Sequence, residues 1–237
     1  AFGFVSRRVL ATVTAPMRPS TMRAIAKLRT GPGLELTEVP VPTPGINDVL
    51  IQVKKTSICG TDVHIYNWDP WVAKRLHPPL IAGHEVCGHI VEVGALVKER
   101  KVGEFVSLES HVVCNACQYC RTGRGHLCER TRLIGADRDG GFAEYIAIAE
   151  QNAWPNPPDL PLEVAVLQEN FGNAVHTAFA VDLKARKILV TGCGPVGLMS
   201  IAVAKAGGAR SVYATDISEY RLNLARTMGA DLALNAR

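Results

Sequence analysis

Four cysteines constrain this chain more than any other feature: Cys114, Cys117, Cys120 and Cys128 sit in one short loop with the spacing C-x2-C-x2-C-x7-C. Thiolates converging on one point are what a closed tetrahedral zinc site requires, because zinc takes four soft ligands and a structural site leaves no position open. The intervening segment, CNACQYCRTGRGHLC, has almost no apolar residues from which to build a core. A metal would supply that missing folding energy. Two disulfides are the competing arrangement, but two-residue spacing suits a metal better, and the reading of a chain without a secretory leader predicts a reducing compartment.

A closed site does no chemistry, so a reactive metal needs other ligands. Cys59, in S-I-C-G-T-D-V-H, and His84, in A-G-H-E, each stand beside a glycine after an apolar or strand-like run. Joined by one carboxylate, they make a three-ligand zinc site with a position free for water or substrate. Glu85, next to His84, and Glu169, in Q-E-N-F-G-N, are the acidic candidates. Each residue alone also has a plain structural explanation: a buried small thiol, a satisfied imidazole, a surface carboxylate. It is their occurrence beside a four-cysteine loop and a nucleotide motif that favours the metal.

That motif follows Lys187–Thr191, a short β-rich run, and reads Gly192-Cys193-Gly194-Pro195-Val196-Gly197 before an apolar helical stretch over 198–206. G-x-G-x-x-G between a strand and a helix predicts a dinucleotide site: Gly192, Gly194 and Gly197 allow the tight turn and the approach of backbone to a pyrophosphate at the helix N-terminus. A second strand over 211–215 ends in Asp216, whose carboxylate can accept hydrogen bonds from ribose hydroxyls and would repel a 2′-phosphate. The pattern therefore predicts NAD rather than NADP, with Arg221 as the one nearby feature pointing the other way.

The net charge of +4 is carried by basic residues interspersed with acids, which argues against a nucleic-acid partner, and no apolar run is long enough to span a bilayer. Residues 1–21 carry Arg7, Arg8 and Arg18 with no acid and precede Met22. They read as a disordered leader outside the fold, either upstream sequence or a transit peptide; the first implies a cytoplasmic protein, the second an organelle matrix. From Met22 on, strands are expected over 23–27, 34–39, 49–55, 85–93 with an interruption at Gly88, and 142–148, and helices over 163–168 and 174–183. The fold expected is α/β, with a β-rich barrel-like domain over 22–175 and a doubly wound parallel-sheet domain starting at 176.

Gly83-His84-Glu85, Gly88, Gly94 and Val97 resemble the zinc alcohol dehydrogenase signature of the medium-chain dehydrogenase/reductase superfamily, and the four-cysteine loop has that superfamily's spacing. The resemblance runs from Met22 to Arg237. It implies a GroES-like catalytic domain over 22–175 and the N-terminal part of a Rossmann-type NAD-binding domain over 176–237. It further implies one catalytic zinc on Cys59, His84 and Glu85, with Glu169 able to exchange as a ligand or assist the proton path, and one structural zinc on the four cysteines. Val196, Asp216 and Arg221 fall where the superfamily contacts NAD. His111 matches a position facing the substrate pocket, with a solvated loop histidine as the alternative.

Lys55–Asp69 and Phe171–Thr177 resemble the branch that oxidises the secondary alcohol of L-threonine to 2-amino-3-oxobutanoate on the way to glycine, and that forms homotetramers. Zinc would lower the pKa of the substrate hydroxyl, and a relay through Thr61, the nicotinamide ribose and His64 would carry the proton out. A dehydrogenase for a polyol or diol, and a non-catalytic zinc-binding remnant, are the alternatives. Asn170, where many members have proline, implies a looser turn after Glu169. The chain reaches only the start of a third strand of the nucleotide domain, so this piece alone is expected to bind NAD weakly and turn over little.

Overall fold

The computed structural model describes residues 18–237, so residues 1–17 of the expected leader lie outside the described residues. Residues 18–21 belong to the fold, contrary to the disordered leader expected there. Arg18 donates to Glu92 Oε2 at 2.9 Å and to the Pro42 carbonyl at 3.1 Å, and Thr21 opens the first strand.

That strand, β1 (Thr21–Lys27), pairs antiparallel with β2 (Glu35–Pro40). The chain continues into β3 (Asp48–Ser57), two short helices α1 (Gly60–Asn67) and α2 (Pro70–Arg75), then β4 (Leu80–Ile81), which pairs with the other side of β1. Next come β5 (Glu85–Val93), β6 (Phe105–Leu108), β7 (His111–Val112), the single-turn α3 (Gln118–Arg121) and β8 (Arg132–Leu133). The N-terminal half closes with β9 (Tyr145–Ala149), β10 (Ala153–Pro155) and α4 (Leu162–Ala165). Its main sheet is antiparallel with the order β10-β6-β5-β3-β9.

β3 shows why this half has two packing layers. Side chains alternate across a strand, so Val49 and Ile51 enter one cluster with Val86, Ile90, Val106, Leu108, Ile146 and Ile148, while Leu50 enters another with Met22, Ala24, Ala26 and Ile81. All three of the β3 residues are at most 1% exposed. The run Val49–Ile51 is thus continuously apolar because both faces of the strand are covered.

β5 runs through Gly88 without the expected interruption. A Cβ there would lie 2.1 Å from the Gln52 carbonyl of β3, so glycine is what lets the two backbones close. The β3/β5 ladder contains two compensating irregularities. The register steps from Leu50↔Glu92 to Ile51↔Ile90, leaving Val91 as the extra residue, and from Val53↔Gly88 to Lys55↔Cys87, leaving Lys54 as the extra residue. Past them the pairing settles at Ser57↔Glu85.

The helices over 163–168 and 174–183 are redrawn as α4 and one longer helix, α5 (Gln168–Ala178), which crosses residue 175 and packs against β5, β6 and the next helix. Asn170 is buried within α5, so no loose turn follows Glu169. Beyond α5 the chain alternates: β11 (Lys187–Thr191), α6 (Pro195–Ala206), β12 (Ser211–Asp216), α7 (Glu219–Thr227) and β13 (Leu232–Asn235). The strands pair in parallel in the order β11-β12-β13. Ile201 and Ala204 of α6 and Leu222 and Ala225 of α7 bury against Val212, Ala214 and Ala233, the packing that a parallel sheet with crossover helices demands.

Candidate metal and dinucleotide sites

The Ser57↔Glu85 pairing builds the first site. Cys59 lies two residues past the end of one paired strand and His84 one residue before the start of the other, so antiparallel pairing brings them together. Ligand atoms of Cys59, His84 and Glu85 all lie within 4.8 Å of one another. His84 is 4% exposed and Glu85 2%. Ser57 donates to Glu85 Oε2, yet Glu85 Oε1 and His84 Nδ1 are buried without any hydrogen-bond partner. Buried polar atoms ordinarily find partners. A buried thiol–imidazole–carboxylate cluster whose carboxylate and imidazole each keep an unpartnered polar atom fits a zinc-type cation, with N, S and O donors and a coordination position left over.

Asp62 fastens this cluster, and the sequence reading passed over it. Its Oδ2 accepts the Cys59 N–H at 2.8 Å and its Oδ1 accepts the Gly83 N–H at 3.2 Å, so one buried carboxylate ties together the two turns that carry the ligands. Burial pushes Asp62 up, against the pull of those two amides and of His84. Without a metal, His84 is raised to about 9: burial lowers it, and the hydrogen bond to Cys59 together with the charges of Asp62 and Glu169 more than offsets this.

α1 starts directly after Cys59 and places Thr61 and His64 three residues apart, on one helix face. Thr61 Oγ1 lies 3.8 Å from Cys59 Sγ. His64 is exposed and its Nδ1 is 2.5 Å from Asp69 Oδ2, while Asp69 Oδ1 caps α2 by accepting the Trp71 and Val72 amides. Of the two expected relay residues, Thr61 is half-buried and His64 exposed.

Glu169 lies outside the ligand trio. Its Oε1 accepts from Ser110 Oγ at 2.9 Å and from Asn173 Nδ2 at 3.0 Å. His111 opens β7 half-exposed, with Nδ1 2.7 Å from Glu109 Oε1 and 3.2 Å from Ser110 Oγ. The hydrogen bond with Glu109 raises His111, although burial opposes it. His111 also lines a cavity of about 590 Å³ between the four-cysteine lobe and α5, together with His126, Asn173 and His176.

In the lobe itself all four cysteines are free thiols, again within 4.8 Å of one another. Cys117 Sγ is 3.5 Å and Cys114 Sγ 3.9 Å from Cys120 Sγ. Metal–sulfur bonds of ~2.3 Å in a tetrahedron give S···S edges of about 3.8 Å, so the thiols already stand at the spacing zinc would impose. Backbone amides prepare the charge: Cys117 N–H points at Cys114 Sγ and Cys114 N–H at Cys128 Sγ, each at 3.3 Å. Amide donation from Ala116 and Cys117 draws Cys114 down to about 6, whereas burial and neighbouring thiols push Cys120 up to about 12.

At the glycine turn, Gly192 has φ +94°, Gly194 caps α6 and Val196 lies in its first turn. A Cβ on Gly197 would meet the Gly192 carbonyl at 2.0 Å, whereas one on Gly194 would project into open space. The helix N-terminus, with Pro195 at its start and no side-chain cap, thus leaves backbone amides facing an uncovered hollow. Asp216 is buried and serves the turn first: its Oδ2 accepts the Cys193 N–H at 2.7 Å and its Oδ1 the Ser218 N–H at 2.8 Å. Those amides hold its carboxyl below the usual range, and Arg221 stands 3.9 Å away.

Residues 45–158 match the family described as alcohol dehydrogenase GroES-like domain, and residues 195–237 match zinc-binding dehydrogenase. The chain is 57% identical over 215 residues to L-threonine 3-dehydrogenase of Symbiobacterium thermophilum, covering 91% of this chain and 61% of that one. It is 51% identical to L-threonine 3-dehydrogenase of Saccharopolyspora erythraea, covering 90% and 62%. A solved short chain alcohol dehydrogenase of Escherichia coli CFT073, complexed with cofactor NADH, superposes with a TM-score of 0.83 at 32% identity, over 92% of this chain and 63% of the other. The chain thus spans about three fifths of the length of the curated relatives it matches.

Proposed function

We propose, for a chain that belongs to the zinc-containing medium-chain alcohol dehydrogenase superfamily, that the protein oxidises the secondary alcohol of L-threonine to 2-amino-3-oxobutanoate with NAD as hydride acceptor. The observation carrying this reading is the trio Cys59, His84 and Glu85, with its two buried, partnerless donor atoms. Choice of substrate rests on the identity to relatives bearing the L-threonine 3-dehydrogenase name.

Cys59, His84 and Glu85 would hold a catalytic zinc, Cys114, Cys117, Cys120 and Cys128 a structural one, and Gly192, Gly194, Val196 and Gly197 the cofactor pyrophosphate. When bound, zinc supplies Lewis acidity toward the substrate hydroxyl and the nicotinamide supplies a hydride acceptor. The rest falls to the chain. Thr61, whose hydroxyl both accepts and donates, takes the proton that the substrate hydroxyl gives up. His64, on the same face of α1 and open to solvent, releases it, and Asp69 stabilises the imidazolium that forms on the way. His111 borders the substrate side. Asp216 favours NAD, because its carboxylate, closed off by two amides, would repel a 2′-phosphate.

The chain is free of any helix long and apolar enough to cross a membrane among its described residues. The resemblance to the superfamily is what suggests a cytoplasmic homotetramer. The test uses the full-length protein: two zinc ions per chain and faster initial rates with L-threonine than with butane-2,3-diol or sorbitol are expected. One zinc per chain, or preference for the diol or polyol, overturns the assignment.

A further inference from the structure

Lys27, the last residue of β1, is a buried cation that the proposed reaction does not use. It is 1% exposed. Among the described residues its ammonium is answered by carbonyls and an aromatic face and by no carboxylate: it donates to the Gly31 carbonyl and, at 2.7 Å, to the Gly33 carbonyl, and it stands 5.0 Å from the centroid of the Trp68 ring. Glu35 is the carboxylate whose charge reaches it, and that group is engaged with Arg29 at 3.4 Å. Burying a charge is costly, and what this one gathers is the far end of α1.

The Gly33 N–H donates to the Tyr66 carbonyl at 2.7 Å, closing one of the carbonyls that the last turn of α1 leaves open. Trp68, the C-cap of that helix, sits in the left-handed region at φ 56° and ψ 49°, which a bulky residue adopts only where its surroundings hold it. Lys27 holds the indole by its face, and the ring packs against the cluster of Ile65, Val72 and Leu76. That reversal leads straight into Asp69, whose Oδ1 caps α2 and whose Oδ2 meets His64 Nδ1. A carboxylate at Nδ1 keeps the ring hydrogen there and leaves the Nε2 lone pair to take up a proton. From α2, Trp71 faces the ring edge-on at 6.4 Å, with the Arg75 guanidinium 5.5 Å from that indole.

We propose that Lys27 is a positioning residue for proton exit: by holding the turn over 31–33 and the Trp68 indole, it keeps Trp68 left-handed, Asp69 turned toward His64, and the His64 hydrogen on Nδ1. Lys27 acts through these residues and touches none of the reacting atoms. Its effect on turnover rests on the reading that His64 releases the proton; its hold on the His64 ring does not.

The experiment is a long-range proton–nitrogen NMR spectrum of the full-length protein at about pH 9, above the ordinary imidazole range, where the tautomer of each histidine is read directly and His64 is assigned by its loss in His64→Asn. The parent and Glu35→Gln are expected to show hydrogen on Nδ1. Lys27→Met, which keeps the length of the side chain but not its charge, should move to the Nε2–H form that a free imidazole prefers, as Asp69→Ala does in full. Trp68→Phe, which keeps an apolar ring and weakens the face offered to the cation, should move partway. In Lys27→Met kcat is expected to fall several-fold with KM for L-threonine unchanged, and added imidazole to restore it. Hydrogen that stays on Nδ1 in Lys27→Met, or in Trp68→Phe where Lys27→Met fails to fold, overturns the positioning role. A tautomer that moves while kcat keeps its parent value overturns proton exit through His64 instead, so the two failures are separable.

Discussion

The two metal-competent clusters of this molecule solve opposite problems. The four cysteines lie within fifteen residues of one another in a segment with little apolar content, and their amide-to-sulfur contacts are local. Cys59, His84 and Glu85 come from two chain segments joined by strand pairing, on a sheet whose buried residues include Val49, Ile51, Val86 and Ile90. The first cluster has little apolar packing to hold it together without an ion, whereas the second is held by the sheet. A structural site and a reactive one therefore differ in which came first, ligand geometry or metal.

Removing a ligand from each cluster should break this symmetry most visibly. Structural zinc binding is worth on the order of 10–16 kcal/mol to small domains, so Cys128→Ser is expected to release one zinc and expose residues 114–128 to protease. Cys59→Ala should release the other zinc with little change in Tm. Limited proteolysis combined with metal analysis checks both; equal loss of fold from the two would erase the distinction.

A second test attacks the sheet that carries the trio. Gly88→Ala drives a methyl into the Gln52 carbonyl and should cost about 3 kcal/mol or more, lowering Tm and zinc at the trio together while the lobe keeps its metal. Smaller in effect is Ser57→Ala, which strips a buried carboxylate oxygen of its donor. Roughly 1–3 kcal/mol of stability and ~10–100-fold of zinc affinity at the trio should go, measured by denaturation and competitive chelation.

The smallest effect is a proton. In the metal-free protein His84 is raised to about 9, and a metal takes only the neutral ring. Calorimetry in buffers of different ionisation enthalpy should find a proton released from His84 on metal uptake at pH 7, fading as pH passes 9. The sign for stability follows: a folded-state value raised above 6.5 helps the chelated protein fully below that pH, and the help is lost as pH rises through 9.

How much of this the residues announced depends on whether a site is local. The four-cysteine spacing and the glycine turn with its strand and helix were readable because ligands and purpose lie in one stretch of sequence. α1 and α2 were not. Ile65 is the one apolar side chain of α1 that is buried, with Val63 and Tyr66 exposed, so no helical stripe exists to be seen. Capping chemistry could have found both helices: Asp62 stands three residues after Cys59, and Asp69 directly precedes Pro70. Gly88 looked like a break because close backbone approach leaves no mark in one strand alone. Ser110 carried no signal, since a serine beside a histidine is common and its meaning comes from α5 arriving on the other side.

The extra residue at Lys54 has a consequence out of proportion to its chemistry. Its side chain is exposed and reaches no further than Gln52, yet it is counted once in β3 and not in β5. Deleting it would leave Val53↔Gly88 followed directly by Lys55↔Cys87, keep the Ser57↔Glu85 pairing, and remove the local bend and extra twist that a bulge gives β3 just before Cys59. The approach of Cys59 to His84 therefore depends on a residue whose own side chain takes no part in it.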